Sequence, residues 1–409
     1  MKLIVLLIDG LSADYFAAHR DRLPHLSALA SSGAHVRRLG ATVPATSMPG
    51  RASMLTGVTG AEHGVIGNHV FDGTGFRSAM PQDVAVETLA GQASRQGRDV
   101  ACVGFALVRP QDAAIFRPPW WMRSWLDATR FGKLPASDAA AIANQTRDPD
   151  GRLPPPTASP PSDVGVIHGL AADLAMIDAV AHLAASAAPP DLILSEIATT
   201  DVVQHCHGYA TAPSHWALAH ADMLVGRLLA ALERAGRLSD YAIAVASDHG
   251  HAPIETAIHP DVVLPEATWE TEGASLHVLI ENDRHAAKVR ERLSAFGVVQ
   301  HPSDHVPIAH RTRIATFSAP PGHSFEPRPP DGRQPTGKPF YISTHGLRPG
   351  DPADDRFCVF HGPGIARSVV DTAPAEQFAA TAAALLGVRL PACRAAPLQA
   401  VAAPRAGRA

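Results

Sequence analysis

The chain has 409 residues, with 35 Lys plus Arg against 39 Asp plus Glu and a formal charge of −4 with His neutral, a balance that excludes a polybasic nucleic-acid binder. Hydrophobic residues at 46% and charged residues at 18% supply a large buried core and leave no compositional case for disorder. The 22 His outnumber the Lys (Lys2, Lys133, Lys288, Lys338), which directs attention to metal ligation or proton chemistry.

Residues 3–8 form a short apolar run that stops at Asp9-Gly10 with no small-residue cleavage site, so it reads as a buried first strand rather than a signal peptide. Apolar runs at 99–105, 191–197, 241–247 and 356–361 read as further strands. Between them Leu23–Ser32, Ala52–Leu55, Val84–Gln96, Leu170–Ala188, Ser214–Ala235 and Pro374–Leu386 have the Ala- and Leu-rich character of helices. This alternation predicts an α/β fold with a central, mostly parallel sheet covered on both faces.

Two segments break the rhythm. Residues 106–165 carry Pro118-Pro119-Trp120-Trp121 and Pro154-Pro155-Pro156 and read as an irregular excursion; the Trp pair could wall a substrate pocket or pack the excursion onto the core. Residues 252–340 have their own pattern of strand (Leu276–Ile280), helix (Ala286–Phe296) and strand (Ile314–Phe317) and read as a small α+β insert. The expected organisation is a catalytic core from 1–251 and 341–395, an insert or cap at 252–340 and a frayed tail at 396–409. Cys102, Cys206, Cys358 and Cys393 are widely separated with no CxxC pair, which argues against a disulfide framework. No stretch approaches the roughly 18 apolar residues of a membrane helix. The expectation is a soluble cytoplasmic protein with no membrane partner.

In a parallel α/β sheet, functional groups collect past the carboxyl ends of the strands. The first run ends at Asp9, residues 191–197 lead into Asp201 and His205, 241–247 deliver Asp248-His249-Gly250, and Tyr341–Gly346 presents His345. Three Asp and three His have the composition of a site for two divalent metals, with imidazole favouring Zn²⁺. The i,i+4 spacing of Asp201 and His205 lets one helical turn aim both at the same ion. Upstream, Thr46-Ser47-Met48-Pro49-Gly50-Arg51 leads into a short helix whose N-terminus offers free N–H donors to a phosphate or sulfate. A metal-activated Ser47 hydroxyl could act there as a nucleophile, or Ser47 could simply cap the helix.

Asp9, the Ser47–Gly57 block followed by Gly60–Asn68, the Asp201…His205 pair, Asp248-His249-Gly250 and Thr344-His345-Gly346 occur in the order found in the alkaline phosphatase superfamily. The chain resembles its nucleotide pyrophosphatase/phosphodiesterase branch and the related phosphonoacetate hydrolase over residues 3 to about 390. The resemblance implies an alkaline-phosphatase-like three-layer sandwich and two Zn²⁺ per chain, with Mn²⁺ or another divalent ion as substitute. Asp201, His205 and His345 would hold one ion, and Asp9, Ser47, Asp248 and His249 the other. Ser47 stands where the branch has its Thr nucleophile and would form a covalent phospho-enzyme.

The implied partner is a small anionic phosphoester, most plausibly a phosphodiester or nucleotide, with no nucleic-acid polymer; oligomeric state is left open. Gly50 occupies a position where the branch has Asn. Arg51 next to it either replaces that donor as a catalytic residue or is a structural arginine. Gln204 stands where a Gly usually precedes the metal His. Ser47-Met48-Pro49-Gly50-Arg51 also resembles the Ser/Cys-x-Pro-x-Arg signature of sulfatases, whose nucleophile is oxidised to formylglycine, but sulfatases lack the second ligand set seen here. Alternatives are phosphonoacetate-type C–P hydrolysis, phosphomonoester or sulfate ester hydrolysis, and an inactive metal-binding relative.

Overall fold

The structure is a computed structural model that describes residues 1–122, 145–154, 165–330, 332–399 and 401. Eight strands make the central sheet: β1 (Lys2–Ile8), β2 (Ala34–Leu39), β3 (Val100–Val103), β4 (Ile115–Arg117), β5 (Leu192–Ile197), β6 (Tyr241–Ala246), β7 (Arg356–His361) and β8 (Ser368–Ala373). Their order is β8-β2-β7-β6-β1-β5-β3-β4. All run parallel except β7, which is antiparallel to both β6 and β2. β1 sits at the centre, in register with β5 on one side and β6 on the other.

Alternation along β1 explains the layers. Leu3, Val5 and Leu7 face a core closed by helices Ser47–Thr56, Leu89–Arg95 and Gln377–Leu386. Ile4, Leu6 and Ile8 face the other core, closed by helices Pro24–Ser32, Gly165–Ala185 and Ala212–Arg234. Strand residues buried on both faces read as continuous apolar runs, which is why β1, β3, β5, β6 and β7 were visible as sequence signals. β2 and β8 were not: Ala34–Leu39 contains two consecutive Arg, and Ser368–Ala373 is an edge strand with exposed Val369 and Asp371.

Within 252–340, a four-stranded antiparallel sheet of Trp269–Glu272, Ser275–Leu279, Ile314–Ser318 and Val299–Gln300 carries helix Asp283–Ser294 on a core of its own around Leu276, Val278, Val289, Leu293 and Phe317. The 106–165 excursion is described only to Met122 and over 145–154; the rest lies outside the described residues. Trp120 and Trp121 turn their indole N–H groups inward, to Asp173 Oδ1 (2.8 Å) and Glu196 Oε1 (2.7 Å). The tail corrects one expectation. Leu398 and Val401 are buried in the core, and Leu398 N–H donates to Thr381 Oγ1 at 3.0 Å, so apolar packing holds the chain to that point; 402–409 lie outside the described residues. Among the described residues, no helix is long and apolar enough to cross a membrane.

Candidate metal centre

The carboxyl ends of β1, β5 and β6 are adjacent in the sheet, and the side chains that follow them converge. Asp9 ends β1, Asp248 and His249 follow β6, and Asp201 and His205 lie on helix Thr199–His207 after β5. That helix starts on Asp173, whose buried carboxylate accepts the Ala198 and Thr199 N–H groups at 3.2 and 3.0 Å. His345 arrives from outside the main sheet, one residue past a two-residue strand, Ser343–Thr344, that pairs with Ala252–Pro253.

Three groups of ligand atoms result, Asp201/His205/His345, Asp9/Asp248/His249 and Asp201/His249/His251, with the atoms of each group within 4.8 Å of one another. The histidines are held as metal ligands need to be. His205 Nδ1 lies 2.8 Å from the Ser343 carbonyl and His249 Nδ1 2.9 Å from the Gly250 carbonyl. Each ring donates its Nδ1–H outward and keeps Nε2 for the cluster. Asp9 Oδ1 and His345 Nδ1 are buried without a hydrogen-bond partner. Burial and the charge of Asp9 push the Asp248 carboxyl up to about 7, a strain that a cation at this spot would relieve. Burial and the charges of His249 and His205 hold His345 neutral, with its pKa well below the ordinary value. Convergent N and O ligands with orphaned buried atoms fit a divalent cation.

Ser47 is the first residue of helix Ser47–Thr56, after Thr46 as N-cap, and its Oγ is 3.1 Å from His249 Nε2. The Met48 N–H, an unpaired group of the first helical turn, donates to Asn68 Oδ1 at 3.0 Å. Gly50 has no room for a side chain, because a Cβ there would lie 2.4 Å from the Asp248 carbonyl oxygen. The amide group near Ser47 therefore comes from Asn68.

Arg51 lies beneath the ligands. It is 1% exposed, with Nη2 2.6 Å from Asp9 Oδ2, Nε 3.0 Å from Glu196 Oε2, and Nη1 on Asp248 Oδ2. Burial works against its charge, but Glu196, Asp9 and Asp248 hold the guanidinium charged. With all three nitrogens committed to carboxylates, this is the placement of a structural arginine rather than of a substrate-oxygen donor. Gln204 is fully buried, its amide donating to the Gly10 carbonyl at 3.0 Å.

Glu196, which sequence reasoning passed over, and His251, which stands two residues after His249, complete the surroundings. Glu196 carried a signal, a Glu inside a fully buried strand that is apolar apart from it and Ser195. His251 Nε2 is 2.8 Å from Asp201 Oδ1 and its Nδ1 2.9 Å from Ser343 Oγ, so it ties that carboxylate to the strand before His345. Other basic side chains near these motifs and in the insert have separate surroundings: His63 is a buried neutral residue accepting the Val65 N–H, His207 is exposed, Arg313 packs over Phe71 and His323 bonds to Pro321.

The family model for type I phosphodiesterase / nucleotide pyrophosphatase matches residues 3–341. The chain belongs to that family. Its members are hydrolases that act on phosphoric ester bonds. Human ectonucleotide pyrophosphatase/phosphodiesterase 5 superposes with a TM-score of 0.70 at 17% identity, covering 95% of this chain and 96% of that one. The inactive murine counterpart in complex with AMP gives 0.69 at 16% identity, with the same coverage of both chains. At that identity the likeness establishes the alkaline-phosphatase-like fold. An uncharacterized pyrophosphatase/phosphodiesterase of Schizosaccharomyces pombe is 34% identical over 82 residues, 19% of this chain and 16% of the relative's length.

Proposed function

We propose that this family member is a two-metal phosphodiesterase that works through a covalent phospho-Ser47 intermediate. Asp201, His205 and His345 would hold one Zn²⁺, and Asp9, Asp248, His249 and Ser47 the second. Such ions lower the pKa of a bound hydroxyl and neutralise charge on phosphoryl oxygens. Ser47 Oγ attacks phosphorus, the bond to the leaving alcohol or nucleotide breaks, and water then hydrolyses the phosphoserine ester. Asn68 Oδ1 is fixed on the Met48 N–H, so its NH₂ group is the donor for a non-bridging oxygen. The N-terminus of the Ser47 helix adds its dipole on the same side. Arg51 orients Asp9 and Asp248 from below.

The observation that carries this reading is the 3.1 Å approach of Ser47 Oγ to His249 Nε2, at a helix N-terminus beside the two ligand clusters. The substrate is a small phosphodiester, and the AMP complex of the murine relative makes a nucleoside phosphate ester the first to try. A panel of aryl phosphate diester, aryl phosphate monoester, nucleotide, phosphonoacetate and aryl sulfate tests the assignment. The diester or nucleotide rate dominates, and Ser47→Ala lowers it roughly a thousandfold or more. A dominant sulfate or phosphonate rate, or an active Ser47→Ala protein, defeats the reading.

A further inference from the structure

The insert reaches the site through the hairpin Trp269–Glu272/Ser275–Leu279, which turns at Gly273-Ala274 between two of its parts. On one side Glu272, 1% exposed, accepts the Asn68 N–H at Oε2 (2.6 Å) and the His69 N–H at Oε1 (2.8 Å), with His69 Nδ1 3.1 Å from Oε1. On the other side the Ala274 N–H donates to the His345 carbonyl (3.0 Å) and the Ser275 hydroxyl to the Gly346 carbonyl (2.8 Å). Gly273 has φ +68°, and a Cβ there would lie 2.5 Å from the His345 carbonyl oxygen, so only glycine lets the turn close on the His345 backbone.

A buried carboxylate is costly, and packing the insert onto the core does not require one. What a carboxylate adds is an oxygen for each of two consecutive amides. That pair of bonds holds the Gly67–Asn68 and Asn68–His69 peptides on either side of the Asn68 Cα, and the Met48 N–H on Oδ1 holds the far end of the side chain. We propose that Glu272 is a positioning residue: from the insert, it sets the Asn68 amide against the Ser47 nucleophile and thereby couples docking of the insert to capture of the phosphoryl group. The proposal rests on the reading of Asn68 as the oxygen donor.

Glu272→Gln keeps the side chain's shape but turns an NH₂ group toward a backbone N–H, which releases one of the two amides. It is expected to lower kcat/KM about tenfold, mainly through kcat, with metal content unchanged. A purely structural role would act whether or not Asn68 is present, so the deciding measurement is the cycle with Asn68→Ala. In the Asn68→Ala background Glu272→Gln has less than about a twofold further effect. Equal effects in both backgrounds, or a Glu272→Gln protein with wild-type kcat/KM, overturn the proposal. Glu272→Asp, which keeps both oxygens, runs the same cycle if the Gln protein does not fold. If Asn68→Ala alone leaves kcat/KM unchanged, it is the reading of Asn68 that fails, and the proposal falls with it.

Discussion

The two halves of the candidate metal centre are built differently. The half made of Asp9, Asp248 and His249 is sealed: the Asp248 and His249 side chains are 0% exposed, and one carboxylate oxygen, Oδ2, of each of Asp9 and Asp248 sits on Arg51, itself tied to Glu196. The half made of Asp201, His205 and His345 is open, with Asp201 15% and His205 13% exposed, and its carboxylate is steadied by the neutral imidazole of His251 rather than by a buried cation. The sealed half is preorganised by charge, and the open half by hydrogen bonds to a short strand at the base of the insert. An ion in the open half is therefore expected to exchange faster.

Chelation gives the largest expected effect. Progressive treatment with a chelator abolishes phosphodiesterase activity, and metal analysis follows the loss from about two ions per chain through about one, the open site emptying first. Simultaneous loss of both ions would break the comparison. Arg51→Met comes next. It leaves three buried carboxylates without their cation and is expected to cost about 3–5 kcal/mol of stability in metal-free protein, with a smaller cost once metal is bound. Denaturant unfolding with and without zinc measures both.

His251→Ala sharpens the comparison from the other side. Removing the group that orients Asp201 is expected to weaken the open site's affinity by about 10–100-fold while leaving the sealed site intact. A Co²⁺-substituted protein reads the two sites separately. The smallest effect is at Asp173, where the cap of the Asp201-bearing helix is buried. Below the unfolded carboxyl pKa, Asp173→Ala is expected to cost about 1–3 kcal/mol. Burial raises the Asp173 pKa to about 6 in the folded state, so its contribution is fully present below the unfolded carboxyl pKa and is lost as pH rises through about 6. The pH dependence of unfolding free energy between those values flattens in the variant.

What was legible in the sequence follows the same division. Strands buried on both faces announced themselves as apolar runs, and the ligands at their ends could be found by position, since Asp9, Asp201, Asp248 and their histidines stand where β1, β5 and β6 stop. The edge strand β8 and the Arg-bearing β2 had no such pattern, because one face of each meets polar surroundings. Arg51 could be singled out but not placed: whether a guanidinium faces substrate or carboxylates depends on Glu196, which is distant in the chain. Asn68 closed the Gly60–Asn68 run that follows the Ser47 block, but its side chain's return to the Met48 N–H is a matter of tertiary packing, and Glu272 meets it only through the docking of the insert, so no sequence spacing joined Glu272 to Ser47.

The central claim, that Ser47 carries the phosphoryl group between two steps, is tested most directly by mass. Protein quenched during turnover of a phosphodiester and digested to peptides is expected to carry one added phosphoryl group on the peptide containing Ser47, and none in Ser47→Ala. A phosphoryl adduct on another residue, no adduct at any quench time with active enzyme, or a Ser47 lighter by two hydrogens as formylglycine would contradict it.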